Sequence, residues 1–497
     1  MTVRLLNRPY KITWFRLFKH SNNKQMETLT LEEILNAIHG ILEYKQGLST
    51  KHLKINSIST DSRNIHNGDL FFALKGEHLD GHRFVADAMN GGALGAVISN
   101  EIKLDPNYKN FFTIRVKDTT TALGDLARHY RQKLKTKIIG ITGSNGKTTT
   151  KEMTYHLLSN FGPVAKSKKS FNNFVGVPLT IFEIENRHLY GVLEMGTNAP
   201  GEIRRLSEIG APNVAVIVNI SKTHLEGLGS IEGVARAKEE ILENFRNGGV
   251  FVYNVDNPWC VKIANNFRGK VVGFGFGTQA DIIGTNIKKK TDGYTFVINK
   301  NLEIYVPTPG YHNINNCLAS FAICHALGHN IYTLKDALSS FKLPSMRIEP
   351  QRIGNITIVN DAYNANPESV RAALQYLNEI NTTGRKIFVC GDMLELGNES
   401  YQLHREIGET IAQLNIDILW TVGKYALEIA KAAKSSGMPE NQIFSFKDVG
   451  DISDTEINEL KENDLVLIKG SRGMHMEKTA DKLKESILKR VPVHNCF

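Results

Sequence analysis

A glycine-rich segment near the middle of the sequence has the residue types of a phosphate-binding loop. Residues 140–149 read GITGSNGKTT and join a predicted apolar strand, beginning at Lys137, to a predicted helix that contains Met153 and Leu157. Glycines let backbone N–H groups point at phosphate oxygens, and a helix N-terminus adds partial positive charge. The usual GxxxxGK[ST] spacing would place glycine at position 141, where isoleucine stands, so the match is to the shorter GxxGKTT.

The loop predicts a nucleotide site in which Lys147 reaches the β- and γ-phosphates and the Thr148 hydroxyl binds Mg²⁺. The nearest counterpart of the guanine-reading NKxD motif is residues 254–257, NVDN, which lacks the lysine. A GTPase is therefore disfavoured, while kinase, motor and ligase activities remain open. The predicted nucleotide-binding residues of the loop are Gly143, Ser144, Asn145, Gly146, Lys147, Thr148 and Thr149.

Two further side chains are candidates for the same site. Glu194 ends a predicted strand in GVLEMG, and His224 follows the predicted strand VAVIVNI. Ligands of open α/β sheets bind beyond the carboxyl ends of the strands, and Mg²⁺ prefers oxygen ligands. Each residue alone is more typical of a surface position or cap, but beside a phosphate loop both are candidate ligands. By pattern alone, Lys238 in ARAKEE is an exposed lysine paired with a nearby glutamate.

The elements around these residues predict an α/β fold. Strands alternate with helices, which is typical of a parallel sheet with helices on both faces. Residues 281–305 differ and predict an antiparallel hairpin with its turn at 292–293. A further α/β unit starts near Arg347. The predicted regions are a basic extension over 1–26, a first domain over 27–133, a central domain over 134–345 and a C-terminal domain over 346–497.

Composition narrows the class of protein. A chain of 497 residues is too long for one core, and 41% hydrophobic with 22% charged residues is typical of a soluble globular protein. No apolar run approaches the ~18 residues of a membrane helix. Five scattered cysteines without a CxxC pair argue against disulfides and cysteine-bound zinc, and indicate the cytoplasm.

The basic character is concentrated at the N-terminus. Of the formal net charge of +9, six charges come from Lys and Arg in residues 1–25, which contain no Asp or Glu. The segment lacks the apolar core of a secretory signal. We expect a disordered or weakly helical extension, and an organellar transit peptide is the less favoured alternative. The rest of the chain is near +3, which suits an enzyme of anionic substrates and gives no indication of nucleic acid.

From residue 27 onward the chain resembles the Mur ligase family, the ATP-dependent amide-forming enzymes of peptidoglycan synthesis. Eleven motifs carry the resemblance in order, and ALKG and NDAYNANP are similar to the branch that adds D-alanyl-D-alanine. The matching text is TDSR (60–63), GDLFFALKG (68–76), TGSNGKTTTKEM (142–153), NNFVGVPLT (172–180), LEMGTNAPGEI (193–203), HLEGLGS (224–230), ARAKEEI (235–241), GYHNINNCLA (310–319), NDAYNANPES (360–369), GDMLELG (391–397) and KGSRGM (469–474).

The resemblance implies a three-domain architecture: a UDP-sugar domain, a central P-loop ATPase domain and a C-terminal Rossmann-like domain. It also implies two Mg²⁺ ions, with Glu194 and His224 binding the second. Lys238 would be carbamylated by CO₂, which turns a cation into an anionic ligand. The implied catalytic residues are Lys147, Lys238, His224 and Glu194, and the implied metal ligands are Thr148, Glu194, His224 and Lys238.

Further roles follow from the resemblance alone. Asn316 would read adenine and Asp361 would hold the ribose hydroxyls. Arg347 would link the central and C-terminal domains around the phosphates, although Met346 stands where the family has glycine. The implied substrate-binding residues are Ser62 and Arg63 near the uridine diphosphate, Asn173 at the peptide, and Asn364, Asn366 and Arg472 at the incoming dipeptide.

The implied reaction joins D-alanyl-D-alanine to UDP-N-acetylmuramoyl-tripeptide through an acyl phosphate formed from ATP. We expect a cytoplasmic monomer that neither spans a membrane nor binds nucleic acid. The alternatives are a sister Mur ligase or a folylpolyglutamate synthase-like ligase. From other classes, a nucleotide-binding regulatory protein without ligase activity and a nucleic-acid-stimulated ATPase also remain.

Overall fold

The structure is a computed structural model that describes residues 26–46, 53–77, 79–103, 110–246 and 248–490. The predicted N-terminal extension lies outside these residues except for Met26. The strands form three larger sheets, and each sheet lies inside one of the predicted regions. The predicted α/β class is confirmed, while the boundaries between the regions stay a prediction. None of the helices described is long and apolar enough to cross a membrane.

The first region forms a sheet in the order β2-β7-β6-β5-β4. Only the β2–β7 pair is antiparallel. The elements are β1 (Leu29–Thr30), α1 (Leu31–Ile38), β2 (Ile41–Gln46), β3 (Lys54–Ile55), β4 (Ile58–Ser59), β5 (Leu70–Phe72), α2 (Val85–Asn90), β6 (Gly95–Ile98), β7 (Phe111–Arg115) and α3 (Thr119–Lys133).

The central region forms a sheet in the order β16-β15-β14-β13-β12-β11-β8-β10-β9. The neighbouring strands β14-β13-β12-β11-β8-β10-β9 are all parallel to one another. The elements are β8 (Lys137–Thr142), α4 (Lys147–Leu158), β9 (Val164–Lys166), α5 (Gly176–Phe182), β10 (Tyr190–Glu194), α6 (Glu202–Gly210), β11 (Val214–Ile217), α7 (Leu225–Leu228), α8 (Ile231–Glu239), β12 (Val250–Asn254), α9 (Pro258–Asn266), β13 (Lys270–Gly275), β14 (Ile282–Lys289), β15 (Tyr294–Ile298), β16 (Leu302–Val306) and α10 (His312–Ala326).

The antiparallel hairpin predicted over residues 281–305 is confirmed as the pairing of β14 with β15, and β16 adds a third antiparallel strand. The first of these strands also pairs in parallel with β13, so the run extends the central sheet. Its alternating buried and exposed residues show one covered face, whereas β8, β10 and β11 are buried almost throughout.

The C-terminal region forms a sheet in the order β17-β18-β22-β19-β20-β21, in which only the β17–β18 pair is antiparallel. The elements are β17 (Glu349–Ile353), β18 (Ile356–Asp361), α11 (Pro367–Glu379), β19 (Lys386–Gly391), α12 (Ser400–Ala412), β20 (Ile418–Val422), α13 (Ala426–Ser435), β21 (Ile443–Phe446), α14 (Asp454–Asn458), β22 (Leu465–Lys469) and α15 (Glu477–Arg490).

A buried arginine fastens helix α3 to the central sheet. Arg131 is fully buried and donates to the carbonyl oxygens of Gly210 (2.8 Å), Leu134 (3.2 Å) and Ala211 (3.2 Å), and to Asn213 Oδ1 (3.2 Å). Two of these carbonyls lie at the C-terminal end of α6, where helix groups lack partners and favour a cation. Burial lowers the pKa of Arg131 to about 9. These bonds attach helix α3 of the first region to residues 210–213 of the central region.

We expect Arg131→Met to reduce the free energy of unfolding by at least about 3 kcal/mol, because several charge-assisted hydrogen bonds are lost together. The control is Lys133→Met on the same helix, where Lys133 is 37% exposed and pairs with Glu33. That exposed pair should contribute about 1 kcal/mol or less. Equal losses in chemical denaturation of the two variants would contradict this role for Arg131.

Candidate active site

The carboxyl ends of β8, β10 and β11 open into a cavity of about 1120 Å³ lined by all three regions. This is the position expected for a ligand site in an open α/β sheet. Most of the predicted site residues meet there. Those lining the cavity are Ser144, Asn145, Gly146, Lys147, Thr148, Thr149, Asn173, Glu194, His224, Asn316, Arg347, Asp361, Asn364, Asn366 and Arg472. Gly143, Lys238, Ser62 and Arg63 are not among the lining residues.

The loop between β8 and α4 depends on glycine. Gly143 and Gly146 have φ values of 154° and 82°, which L-residues with a side chain rarely adopt. A Cβ atom at Gly146 would also lie 2.2 Å from Asn316 Oδ1. The backbone N–H groups of Ser144 and Asn145 donate to Asn219 at 3.0 and 2.8 Å, which fixes the loop on the strand end.

Lys147 follows this loop and folds back over it. Its Nζ donates to the Gly143 carbonyl at 2.7 Å. The side chain is only partly exposed. Burial lowers the pKa of Lys147, although the nearby charge of Glu194 opposes this shift. Asn316 packs beside the loop, where its Oδ1 accepts from the Thr150 hydroxyl (3.3 Å) and its Nδ2 donates to Asn313 (2.9 Å). Loop, lysine and asparagine form one wall of the cavity.

The buried carboxylate of Glu194 has one oxygen left for a cation. Oε1 accepts from Asn172 Nδ2 at 3.0 Å, whereas Oε2 is buried without a hydrogen-bond partner among the described residues. Oε2 lies 3.5 Å from Nζ of Lys151, a fully buried lysine that the sequence analysis missed. Lys151 Nζ also donates to the Lys169 carbonyl at 2.5 Å. A buried carboxylate oxygen that accepts no hydrogen bond from the described part of the chain, in a cavity that Thr148 also lines, is a fitting ligand for Mg²⁺.

Nevertheless, no group of three His, Cys, Asp or Glu side chains suited to a metal occurs in the described part of the chain. Glu194 and His224 line the same cavity, but the remaining ligands of a magnesium site would have to be of other types. Mg²⁺ commonly keeps waters and takes phosphate oxygens, so such a site would depend on the nucleotide.

The interpretation of Lys238 as an exposed, paired lysine is wrong. The residue is 2% exposed in helix α8. Burial, and then the nearby charge of Lys147, lower the pKa of Lys238 well below its usual value. A buried amine with a lowered pKa loses its proton more readily than a surface lysine, and the neutral form of an amine is the nucleophilic one. Helical spacing could not show this, because the burial comes from packing against other elements.

Arg347 reaches the phosphate loop from the junction of the central and C-terminal regions. Its Nη2 donates to the Thr148 hydroxyl at 2.9 Å, and its guanidinium lies 4.2 Å above the Tyr363 ring. The flanking residues Met346 and Ile348 have φ values of 59° and 47°. These left-handed conformations turn the arginine inward, and the value at Met346 explains why glycine suits that position.

The C-terminal region adds two polar clusters. Both carboxylate oxygens of Asp361 are occupied: Oδ2 accepts from Lys469 Nζ at 2.7 Å and Oδ1 from the Ile348 N–H at 3.1 Å. Asn366 caps α11 and donates through Nδ2 to Asn145 Oδ1 at 2.7 Å. Asn145 in turn donates to Glu368 at 2.8 Å. The phosphate loop is thus hydrogen-bonded directly to the C-terminal region.

The remaining predicted binding residues have other partners in this structure. Arg63 pairs with Asp61, which caps the turn and whose pKa is lowered to about 2 mainly by that guanidinium. Asn173 Oδ1 accepts from backbone N–H groups at the start of α5. Arg472 is 55% exposed and lies 3.4 Å from Glu477. The first region reaches the cavity instead through Lys75, Glu77 and Thr120, which the sequence analysis did not single out.

We expect Lys151→Met to reduce the free energy of unfolding by about 3 kcal/mol or more, because it leaves the buried carboxylate of Glu194 without its cation. Lys166→Met is the matched control: Lys166 also pairs with Glu152 but is 30% exposed, and its removal should cost about 1 kcal/mol or less. The measurement is chemical denaturation. Indistinguishable losses would show that Lys151 is not the counter-charge of Glu194.

Met346→Gly should raise the free energy of unfolding by about 1 kcal/mol, because relief of left-handed strain outweighs the extra entropy of glycine in the unfolded chain. Met346→Ala retains Cβ and should give no gain. If alanine stabilises as much as glycine, backbone strain at this position is not the cause.

Three Mur ligase family models match successive parts of the chain. The family models of the Mur ligase catalytic domain, middle domain and glutamate ligase domain match residues 54–131, 141–324 and 346–472. UDP-N-acetylmuramoyl-tripeptide–D-alanyl-D-alanine ligases are similar in sequence. The Bacillus subtilis enzyme is 36% identical, with 92% of this chain and 99% of that one covered. The Escherichia coli enzyme is 34% identical, with 93% and 99% covered.

Solved structures agree in fold. A crystal structure of MurF from Acinetobacter baumannii aligns with a TM-score of 0.82 and 31% identity, covering 93% of this chain and 99% of that one. MurF ligase from Thermotoga maritima in complex with ADP aligns with a TM-score of 0.76 and 27% identity, covering 88% and 98%. The expected three-domain architecture is confirmed, and the chain belongs to the Mur ligase family.

Proposed function

We propose that this ligase joins D-alanyl-D-alanine to UDP-N-acetylmuramoyl-tripeptide at the expense of ATP. The observation that carries the proposal is the single cavity into which all three regions project, with the phosphate loop and the buried carboxylate Glu194 at its base. The names of the relatives and their near-complete coverage support the substrate assignment. The ADP complex of the Thermotoga maritima relative supports a nucleotide in this cavity.

The nucleotide would lie between the central and C-terminal regions. Lys147 and the loop N–H groups would hold its phosphates, and Arg347 would approach them from the C-terminal side. Asn316 and Asp361 stay predicted contacts to adenine and ribose. Asp361 would have to share its carboxylate with Lys469, since both oxygens already accept hydrogen bonds.

Magnesium ions, when bound, would neutralise the phosphates and allow the anionic substrate carboxylate to approach them. Glu194 fits such an ion through Oε2, which accepts no hydrogen bond from the described residues and lies 3.5 Å from the Lys151 ammonium, and Thr148 fits it through its hydroxyl. His224 lines the same cavity as the second predicted ligand. Lys238 would contribute after carbamylation: its neutral Nζ forms a bond to the carbon of CO₂ and releases one proton. The resulting carbamate supplies oxygen where the unmodified lysine supplies only nitrogen.

The reaction has two steps. An oxygen of the terminal carboxylate of the tripeptide bonds to the γ-phosphorus, and the bond to ADP breaks, giving an acyl phosphate. The amine of D-alanyl-D-alanine then bonds to the acyl carbon, inorganic phosphate leaves, and the amine loses its proton. Lys147 and the loop N–H groups stabilise the charge that develops on the transferred group. Closure of the regions excludes water that would hydrolyse the acyl phosphate.

The residues proposed to bind the two substrates lie in different regions of the chain. Asn364, Asn366 and Arg472 lie at the C-terminal side of the cavity, where the dipeptide would enter, with Arg472 suited to its carboxylate. Ser62 and Arg63 do not line the cavity and stay predicted contacts to the uridine diphosphate. We further propose that the enzyme acts in the cytoplasm as a monomer, with domain boundaries near residues 133 and 346.

The proposal predicts one ATP-dependent product. Incubation with ATP, Mg²⁺, UDP-N-acetylmuramoyl-tripeptide and D-alanyl-D-alanine should yield, by mass spectrometry, the pentapeptide product. Parallel reactions offering the acceptors and amines of the sister ligases and of folylpolyglutamate synthase should release little phosphate. Lys147→Ala should abolish the product while its unfolding curve stays unchanged, because it removes a phosphate-binding charge and little packing.

Product from a sister-ligase substrate pair instead would assign the chain to that branch. Absence of phosphate release with every pair would favour a regulatory nucleotide-binding protein. Wild-type turnover in Lys147→Ala would contradict the phosphate-loop assignment.

Lys238→Ala should lose most of the activity, by roughly 100-fold if the residue supports metal binding. Added formate or acetate should restore part of it, because a small carboxylate can occupy the position of the carbamate. Lys238→Arg should stay inactive with formate, since arginine keeps the positive charge and fills the space. Full activity of Lys238→Arg would exclude the carbamate.

A further inference from the structure

The C-terminal region contacts the predicted metal ligand His224 directly. His224 Nδ1 hydrogen-bonds to Oε2 of Glu395, in the loop after β19. The backbone of the same residue is also engaged, since the Glu226 N–H donates to the Glu395 carbonyl at 3.1 Å. Beside this contact, Lys222 Nζ lies 2.6 Å from Glu399 Oε2. None of these five residues belongs to the phosphate loop or to the junction at Arg347.

Both partners of the central contact have unusual backbones. His224 has a φ of 52° and Glu395 a φ of 63°, in the left-handed region that residues with a side chain rarely adopt. Gly397, two residues after Glu395, packs so closely that a Cβ there would lie 3.3 Å from Glu226 Cα. Such conformations persist where the surrounding structure holds them, and they cluster at functional sites. The two side chains are therefore brought together by a specific local arrangement.

The chemistry of the contact fixes the state of the imidazole. An ionised carboxylate only accepts hydrogen bonds, so Nδ1 of His224 must carry the hydrogen. In the neutral ring the lone pair then lies on Nε2, the nitrogen that Glu395 does not contact. A histidine that binds a metal commonly donates its other N–H to a carboxylate, which sets both tautomer and ring orientation.

We infer that Glu395 is a positioning residue that acts through His224, so that docking of the C-terminal region prepares the imidazole for metal binding in the central region. The inference rests on the proposed function, since it takes His224 as a metal ligand. It adds that the ligand set of the central region is complete only when the C-terminal region is docked. The neighbouring Lys222–Glu399 pair, with side chains 44% and 41% exposed, holds the same interface without touching His224.

The test uses the full chain with ADP and Mn²⁺ as a paramagnetic substitute for Mg²⁺, and measures Mn²⁺ affinity by electron paramagnetic resonance. Glu395→Ala should weaken Mn²⁺ binding by about tenfold or more, whereas the matched interface control Glu399→Ala should change it by about twofold or less. Glu395→Gln, whose amide oxygen can still accept from Nδ1, should fall between wild type and alanine. ADP affinity without the metal should be the same in all variants.

A double-mutant cycle separates positioning from general docking. If Glu395 acts through His224, Glu395→Ala should weaken Mn²⁺ binding no further when His224 is already alanine. If the losses of Mn²⁺ affinity from Glu395→Ala and His224→Ala multiply in the double variant, Glu395 stabilises the interface only, and the inference is overturned. Equal Mn²⁺ affinities of Glu395→Ala and Glu399→Ala would also overturn it. Absence of the pentapeptide product with the wild-type chain would instead overturn the proposed function, so the two failures are distinct.

Discussion

The buried carboxylate of Glu194 and the lysines around it underlie the phosphate loop. Lys147 and Lys151 belong to helix α4 and Lys238 to helix α8. Lys151 Nζ lies 3.5 Å from the Glu194 carboxylate, while the charge of Lys147 adds to the burial that lowers the pKa of Lys238. Positive charge in a partly buried site favours the binding of negatively charged groups. Nucleotide phosphates would bring such charge, and so would the carbamate proposed on Lys238.

The second constraint is that the central region does not complete this site alone. Arg347 donates to Thr148 from a junction whose residues Met346 and Ile348 have left-handed backbones. Asn366 bonds to the phosphate loop, and Glu395 bonds to His224. The C-terminal region therefore contacts both the phosphate loop and the predicted metal ligand of one cavity. In the proposed reaction, docking of that region would help to exclude water from the acyl phosphate.

Much of the site could be predicted from local sequence, because its chemistry is local. The glycines, Lys147 and Thr148 are contiguous and lie between a strand and a helix. Glu194 ends a strand next to them in the sheet. The burial of Lys238, the pairing of Lys151 with Glu194 and the contact of Glu395 with His224 could not be predicted this way. Each depends on elements that are distant in sequence, and a lysine on a helix has the same pattern whether it is exposed or buried. The parallel pairing of β14 with β13, which joins the predicted hairpin to the central sheet, could not be predicted for the same reason.

The central claim is that the cavity activates a carboxylate by transferring phosphate to it, and oxygen-isotope transfer tests this most directly. UDP-N-acetylmuramoyl-tripeptide labelled with ¹⁸O in its terminal carboxylate should be converted with ATP and D-alanyl-D-alanine, and the released inorganic phosphate analysed by mass spectrometry. If an acyl phosphate forms, each phosphate released should carry one labelled oxygen from the substrate. Phosphate that contains no label, released together with the same peptide product, would contradict the account.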